Sequence, residues 1–274
     1  MKFNQYKLVH TEDLTPILLA FLSEAGFDSF QETEVGLLAF GVAEEHATWL
    51  KVLNELKEQF AFTFSSEALE DKNWNEEWER QFTPINIGSR LRIRADFHDP
   101  DPTVERELII TPKMAFGTGH HATTHMMCEL LLEHSLSGVK VLDYGSGTGV
   151  LAILAKQLGA GPVDAVDIEA WSAENTQENA ARNGVTLNQV IHGELKDVPL
   201  GVAYDLILAN INRNVILATA ESLYDRLRLG GTILFSGILA QDEELLVASL
   251  TDTGFLHQAT RSRSDWRAFV FTRP

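Results

Sequence analysis

The chain has 274 residues, 45% of them hydrophobic, a single cysteine and a formal net charge of -17. Such a composition excludes wholesale disorder, offers no run near the ~18 apolar residues of a membrane span, and with Cys128 alone leaves no intrachain disulfide and no cysteine-built zinc site. Residues 1–90 hold 16 acids against 7 bases and residues 91–274 hold 23 against 15, so neither part suits a nucleic-acid backbone, which needs several phosphate-neutralising Lys or Arg.

The apolar stretch at residues 14–22 is short and follows Glu12 and Asp13 rather than a basic segment, so it does not read as a secretory signal. The expectation is a cytoplasmic, soluble protein with no membrane contact and no direct nucleic-acid binding. The acidity serves solubility first, and steering of a basic partner second.

In chain order, residues 3–9 read as a strand. Leu14, Ile17, Leu18, Phe21, Leu22 and Ala25 fall at helical spacing, with Gly26 as the stop. Strands follow near 27–32 and 35–42. A helix then carries Trp49, Leu50, Leu53 and Leu56, and a last strand is expected at 60–64. The order β-α-β-β-α-β is the ferredoxin-like pattern, expected here as a small domain over residues 1–65.

Residues 66–83 are acidic and carry Trp74 and Trp78 four apart, on one face if helical. This segment is expected to be a connecting helix whose indoles pack onto one of the domains. Short strands are expected at 85–87, 91–95 and 107–110, with a turn at 99–102.

From residue 139 strands and helices alternate regularly. Strands are expected at 139–143, 162–167, 189–192, 204–210 and 232–237, and helices at 149–158, 170–183 and 214–228. Residues 84–274 therefore read as an α/β domain with a mainly parallel, doubly wound sheet. After a helix at 241–250, strands at 255–261 and 266–272 are separated only by 262–265. That connection is too short for a parallel crossover, so the pair must be antiparallel.

The sharpest motif is Val141-Leu142-Asp143-Tyr144-Gly145-Ser146-Gly147-Thr148-Gly149, a buried strand entering a glycine-rich turn before a helix. Glycines permit a tight turn and close approach of a ligand, and a helix N-terminus is expected to leave backbone N–H groups free. The spacing is G-x-G-x-G, with Val150 where a nicotinamide site would place a sixth-position glycine. Asp167, 22 residues past Gly145 at the end of the next strand, is placed to accept ribose hydroxyls. Together these residues point to a nucleoside-cofactor site rather than a merely structural turn.

This constellation resembles the S-adenosylmethionine-dependent, Rossmann-like methyltransferases, a class that ends its sheet with a reversed strand. A second string, Met114-Ala115-Phe116-Gly117-Thr118-Gly119-His120-His121-Ala122-Thr123-Thr124, resembles the A-F-G-T-G-x-H-x-T-T signature of the bacterial methyltransferases that modify protein eleven of the large ribosomal subunit. Trp74-Asn75-Glu76-Glu77-Trp78, then Pro84, Ile85, Gly88 and Leu91, and Asp205-Leu206-Ile207-Leu208-Ala209-Asn210-Ile211 extend the likeness to about residues 74–271. One departure is Thr111-Pro112-Lys113, where that family usually has D-P-G; it reads as a tolerated surface change.

The resemblance implies S-adenosyl-L-methionine as cofactor, with S-adenosyl-L-homocysteine as its product. Gly145, Gly147 and Gly149 would then line its methionine end, and Asp143 would orient its ammonium directly or through water. Thr124 would contact the carboxylate and Asp167 would hold the ribose. Phe116, Gly117 and Thr118 would border the target amine, and Asn210 would face both cofactor and amine as the catalytic residue. His192 and Glu194 read as surface-loop residues rather than adenine contacts, and His121 as a helix-opening hydrogen-bonding group rather than a base.

Related enzymes that modify planar amides carry Asn-Pro-Pro-Tyr at the Asn210 position. Here Asn210-Ile211-Asn212-Arg213 argues for an aliphatic amine. The implied activity is trimethylation of lysines and of the N-terminal α-amine of large-subunit ribosomal protein eleven, a basic substrate suited to an acidic enzyme. Residues 1–65 would recognise that substrate. The alternatives are a methyltransferase for RNA or a small molecule, and a non-catalytic protein that keeps the cofactor fold. The first lacks a basic stripe, and the intact glycine turn, Asp167 and Asn210 oppose the second.

Overall fold

The computed structural model describes residues 3–11, 14–33, 35–68, 83–111, 116–199, 201 and 203–274. The expected tryptophan-bearing helix lies mostly outside them, as do residues 112–115, which include Lys113. Two compact units divide the chain, Met1–Gln81 and Phe82–Pro274.

The first unit has β1 (Phe3–Val9), α1 (Thr15–Ala25), β2 (Ser29–Thr33), β3 (Gly36–Val42), α2 (His46–Gln59) and β4 (Thr63–Ala68). The sheet order β2-β3-β1-β4, antiparallel throughout, is that of a ferredoxin-like unit. Helix α1 starts with proline in its first turn and ends where Gly26 takes φ 95°, its N–H reaching the carbonyls of Leu22 and Ser23. Tyr6, Leu8, Leu18, Leu22, Leu53 and Trp49 form the core under the sheet.

Strand β4 corrects the expected strand at 60–64 and runs past residue 65. It pairs with β1 from Val9↔Thr63 to Asn4↔Ala68, while α2 persists to Gln59 and delays the start of the strand. Residues 66–68 are therefore strand rather than connecting helix, because β1 offers a free edge along its whole length.

The second unit begins with β5 (Ile85–Ile87), β6 (Leu91–Arg94) and β7 (Glu107–Ile109), which form a separate three-stranded sheet. Then follow α3 (Ala122–Glu133), β8 (Val141–Tyr144), α4 (Val150–Gln157), β9 (Val163–Asp167), α5 (Ala170–Arg182), β10 (Gln189–His192), β11 (Tyr204–Asn210), α6 (Arg213–Arg226), β12 (Leu227–Leu239), α7 (Glu243–Thr253), β13 (Leu256–Arg263) and β14 (Trp266–Thr272). The seven-stranded sheet has the order β10-β9-β8-β11-β12-β14-β13. Strands β8 to β12 are parallel, and β14 runs antiparallel to both its neighbours.

Alternation along the strands builds a core on each face. Val141, Leu206, Leu208 and Leu234 join one cluster with α3 and α4. Leu142, Ile207, Ala209, Ile233 and Phe235 join the other, with Ile216 of α6 and Leu246 of α7. Below the sheet, the buried Tyr204 hydroxyl donates to Asp164 Oδ2 at 2.7 Å, and Asn188 donates to Asp164 Oδ1 at 2.6 Å. The first bond ties β11 to β9 across β8, and the second ties the approach to β10 to β9. Burial raises the Tyr204 pKa and the adjacent Asp164 carboxylate raises it further, so this phenol stays a donor.

Among the described residues no helix is long and apolar enough to cross a membrane. A buried hydrogen bond to a charged acceptor contributes roughly 1.5–3 kcal/mol. Tyr204→Phe should therefore lower the urea midpoint of unfolding by a corresponding amount; an unchanged midpoint would mean that this bond does not tie the strands together.

Candidate active site

The carboxyl ends of the parallel strands meet in a cleft of about 490 Å3, the size and place expected of a ligand site in an open α/β sheet. Gly145 and Gly147 after β8, Asp167 at the end of β9, Glu194 after β10 and Asn210 at the end of β11 all line it. Phe116 lines it from the second motif and Trp266 from β14.

The glycine turn is built by close contact. Gly145 (φ 78°) and Gly147 (φ 55°) lie in the left-handed region. A Cβ on Gly147 would sit 2.3 Å from the Phe116 carbonyl oxygen, and one on Gly145 would sit 2.3 Å from Ile211 Cγ2. That space lets the two motifs dock. Thr148 N donates to Phe116 O at 2.9 Å, and Thr148 Oγ1 donates to Gly117 O at 2.7 Å.

The turn ahead of the helix spends its own N–H groups. Gly145 and Ser146 donate to Val166 O, Gly147 to Asp167 Oδ2, Thr148 to Phe116 O and Gly149 to Ser146 O. The turn is thus no cradle for phosphate, because four consecutive donors hold it against β9 and the second loop and the fifth closes the turn on itself.

Asp167, which lines the cleft, accepts from Gly147 N at 2.8 Å on one oxygen and from Glu169 N at 3.0 Å on the other, each oxygen keeping further acceptor capacity. Asp143 is buried behind the turn. Its Oδ2 accepts from Ala152 N at 3.0 Å, and its Oδ1 has no partner. Burial raises its pKa to about 7, the Ala152 bond opposing and the charge of Asp167 adding to the shift.

At the opposite end, Asn210 Nδ2 donates to Thr124 Oγ1 at 3.2 Å, a contact across 86 residues, and Asn210 Oδ1 has no partner. Asn212 also lines the cleft and caps α6 by accepting from Val215 N. His121 is the N-cap of α3: its Nδ1 accepts from Thr123 N, and burial lowers its pKa. Its ring packs edge-on against Phe116 (5.2 Å between centroids) and Trp266 (4.6 Å).

The expected site residues therefore divide. Phe116, Gly145, Gly147, Asp167 and Asn210 line the cleft, whereas Asp143, Thr124, Gly149, Gly117 and Thr118 are absent from its described lining. Thr124 and Asp143 are fully buried in support of lining groups. Gly117 holds the loop through its carbonyl, and the Thr118 hydroxyl bonds His120 Nδ1. His192 is exposed on the edge strand, while Glu194 borders the cleft and pairs with Lys196 at 2.8 Å.

Sequence reasoning missed Ile168, Trp171 and Trp266. Ile168 is 64% exposed and Trp171 41% exposed despite their size, a signal that only solvent exposure reveals. Among the described residues, no group of three or more His, Cys, Asp or Glu gathers to hold a metal.

Gly147→Ala forces a left-handed alanine against the Phe116 carbonyl. A thermal or urea melt should report a loss of about 1–3 kcal/mol; an alanine accommodated at no cost would contradict the tight docking of the two motifs.

The sequence profile described as ribosomal protein L11 methyltransferase (PrmA) matches residues 22–274. The ribosomal protein L11 methyltransferase of Porphyromonas gingivalis is 44% identical over 93% of this chain and 90% of its own. That of Chlorobaculum parvum is 38% identical over 93% and 91%. The crystal structure of ribosomal protein L11 methylase from Lactobacillus delbrueckii subsp. bulgaricus superposes with a TM-score of 0.65 at 29% identity, covering 70% of this chain and 99% of that one. With the cleft, the two docked glycine motifs and a sheet ending in a reversed strand, the chain belongs to the ribosomal protein L11 methyltransferase family.

Proposed function

We propose that this protein is an S-adenosyl-L-methionine-dependent N-methyltransferase acting on lysine and N-terminal amines of ribosomal protein L11. The observation that carries the reading is Asn210: it lines the cleft beside Phe116, its amide nitrogen is tied to Thr124, and its carbonyl oxygen is buried without a partner. An unsatisfied acceptor there matches an N–H donor.

The residues also fit the cofactor. A sulfonium nucleoside carries no phosphate, so a glycine turn with its N–H groups spent internally suits it better than it suits a dinucleotide. Asp167 would accept the ribose hydroxyls, Gly145 and Gly147 would admit the methionyl chain, and Asp143 would balance its ammonium. Ile168 and Trp171 offer apolar surface beside Asp167.

When bound, S-adenosyl-L-methionine supplies an electrophilic methyl group on a positively charged sulfur. The protein must provide a neutral amine aimed at it. A free lysine has a pKa of ~10.4, so about one part in a thousand is neutral at pH 7. Desolvation against Phe116 and Trp266 favours that form. Asn210 Oδ1 accepts an amine hydrogen and fixes the direction of the lone pair. His121, neutral and engaged as a cap through Nδ1, holds the ring wall rather than the proton.

Each transferred methyl group leaves an ammonium that loses its proton to solvent before the amine turns and reacts again. The rings of Phe116, His121 and Trp266 tolerate the final fixed cation. The first unit, with more than twice as many acids as bases in residues 1–90, is proposed to recognise the basic substrate.

Incubating the protein with labelled cofactor and isolated ribosomal proteins should place label on L11 amines by mass spectrometry. Label on RNA or on small molecules alone would refute the proposal. Asn210→Ala should lower turnover about 100-fold with little change in cofactor affinity. Asp167→Ala should instead weaken cofactor binding by ~1.5–3 kcal/mol. The opposite split, read by kinetics and calorimetry, would reverse the two assignments. Added L11 should slow amide exchange within residues 3–68; protection confined to the second unit would remove the recognition role.

The carboxyl of Asp143 predicts a pH dependence. Below about pH 7 it is neutral in the ligand-free protein, so an ammonium gains from it only above that pH. Cofactor affinity should fall by up to about tenfold per pH unit below 7, with proton release on binding, and Asp143→Asn should flatten the profile. A flat profile in the unaltered protein would exclude the ion pair. The same raised pKa means that the folded chain keeps a proton which the unfolded chain releases near pH 3.8. Asp143 therefore subtracts stability increasingly as pH rises from 3.8 to about 7.

A further inference from the structure

Helix α5 presents asparagines at an i, i+4, i+8 spacing: Asn175, Asn179 and, at its C-cap, Asn183. Asparagine is a poor helix former, and Asn175 and Asn179 are fully buried. Their amides serve as a missing strand. Strand β7 is the edge of the three-stranded sheet, and its outward backbone groups meet side chains instead of another strand. Asn183 Oδ1 accepts from Ile109 N at 2.8 Å and its Nδ2 donates to Ile109 O at 2.7 Å. Two residues on, Asn179 Oδ1 accepts from Thr111 N at 3.1 Å and Asn175 Nδ2 donates to Thr111 O at 3.4 Å.

The same Asn179 amide reaches the glycine turn, donating from Nδ2 to Thr148 O at 2.9 Å. Thr148 in turn donates its N–H to Phe116 O and its hydroxyl to Gly117 O. The bonds close a ring from Thr111 to Asn179, from Asn179 to Thr148, and from Thr148 to Phe116.

We propose that Asn179 and Thr148 form a clamp that fixes Thr111 and Phe116 against the glycine turn, making Asn179 a positioning residue for Phe116 in the cleft. An apolar residue at 179 would leave Thr111 N and Thr148 O without partners in a dry interior, so packing alone does not account for the asparagine. Phe116 is 52% exposed, its ring packed edge-on against His121. Its place depends on the backbone that carries it, and a displacement of about 1 Å at a reacting centre is enough to cost up to 100-fold in rate. The consequence for catalysis rests on the methyl-transfer reading above; the clamp itself does not.

The test pairs amide exchange with kinetics. In Asn179→Ala the Thr111 amide should exchange at least about tenfold faster, while amides of β8 and β11 keep their protection. Turnover on L11 should fall about tenfold or more and the KM for L11 should rise, with the cofactor dissociation constant within about threefold. Thr148→Val, which removes only the hydroxyl bond to Gly117, should lower turnover in the same sense, and Thr148→Ser should restore it. The two substitutions combined should cost less than the sum of their separate effects.

Unchanged Thr111 exchange, uniform acceleration across the sheet, or no rescue by serine would each overturn the clamp. An unaltered protein that transfers no methyl group to L11 would refute the proposed function instead, leaving the exchange result to decide the clamp.

Discussion

Everything at the cleft depends on one close approach: the backbone of Thr148 hydrogen-bonded to the carbonyl of Phe116, over a residue that has no Cβ. If Gly147 were any other residue, its side chain would occupy the position of that carbonyl. The two motifs lie some thirty positions apart in sequence and would then be held apart in space. Docked, they line one cleft with Asp167 and the ring of Phe116 both in its wall. The glycines here make room for protein backbone as much as for ligand. That is why the turn spends its N–H groups on Val166, Asp167, Phe116 and Ser146 rather than presenting them to an anion.

Around this contact the site is polarised. At one end lie two acids, Asp167 in the cleft wall and Asp143 behind it, the pKa of Asp143 raised first by burial and further by the charge of Asp167. At the other, the neutral amide of Asn210 lines the same cleft as the rings of Phe116, His121 and Trp266. A carboxylate beside the reacting amine would hold it protonated and unreactive, whereas an amide aligns it without adding charge. Such a division suits a cationic cofactor and an amine that must react as the free base.

The alternation of strands and helices in the second unit was legible because its strands are buried on both faces and read as apolar runs between glycine turns. The length of β12 was not. Its start at Leu227 passes through Arg228, Gly230 and Gly231, which carry no apolar pattern; its extent comes from backbone bonds such as Gly230 N to Arg273 O. The β13–β14 turn is likewise tighter than the expected 262–265. Arg263 pairs with Trp266, leaving Ser264 at φ 52° in the turn. At the site, glycines and acids announced themselves by spacing. Asn179 and Trp266 did not, because the partners of one are backbone atoms far along the chain and the other reads as an ordinary strand residue.

The account stands on the cofactor lying along the docked motifs with its methyl group turned toward Asn210. A crystal structure of the protein with S-adenosyl-L-homocysteine tests this directly. The account predicts the ribose hydroxyls within hydrogen-bond reach of Asp167 and the methionyl chain over Gly145 and Gly147, with the sulfur facing Asn210 and Phe116. A nucleoside bound away from Asp167, or a sulfur turned away from Asn210, would contradict it.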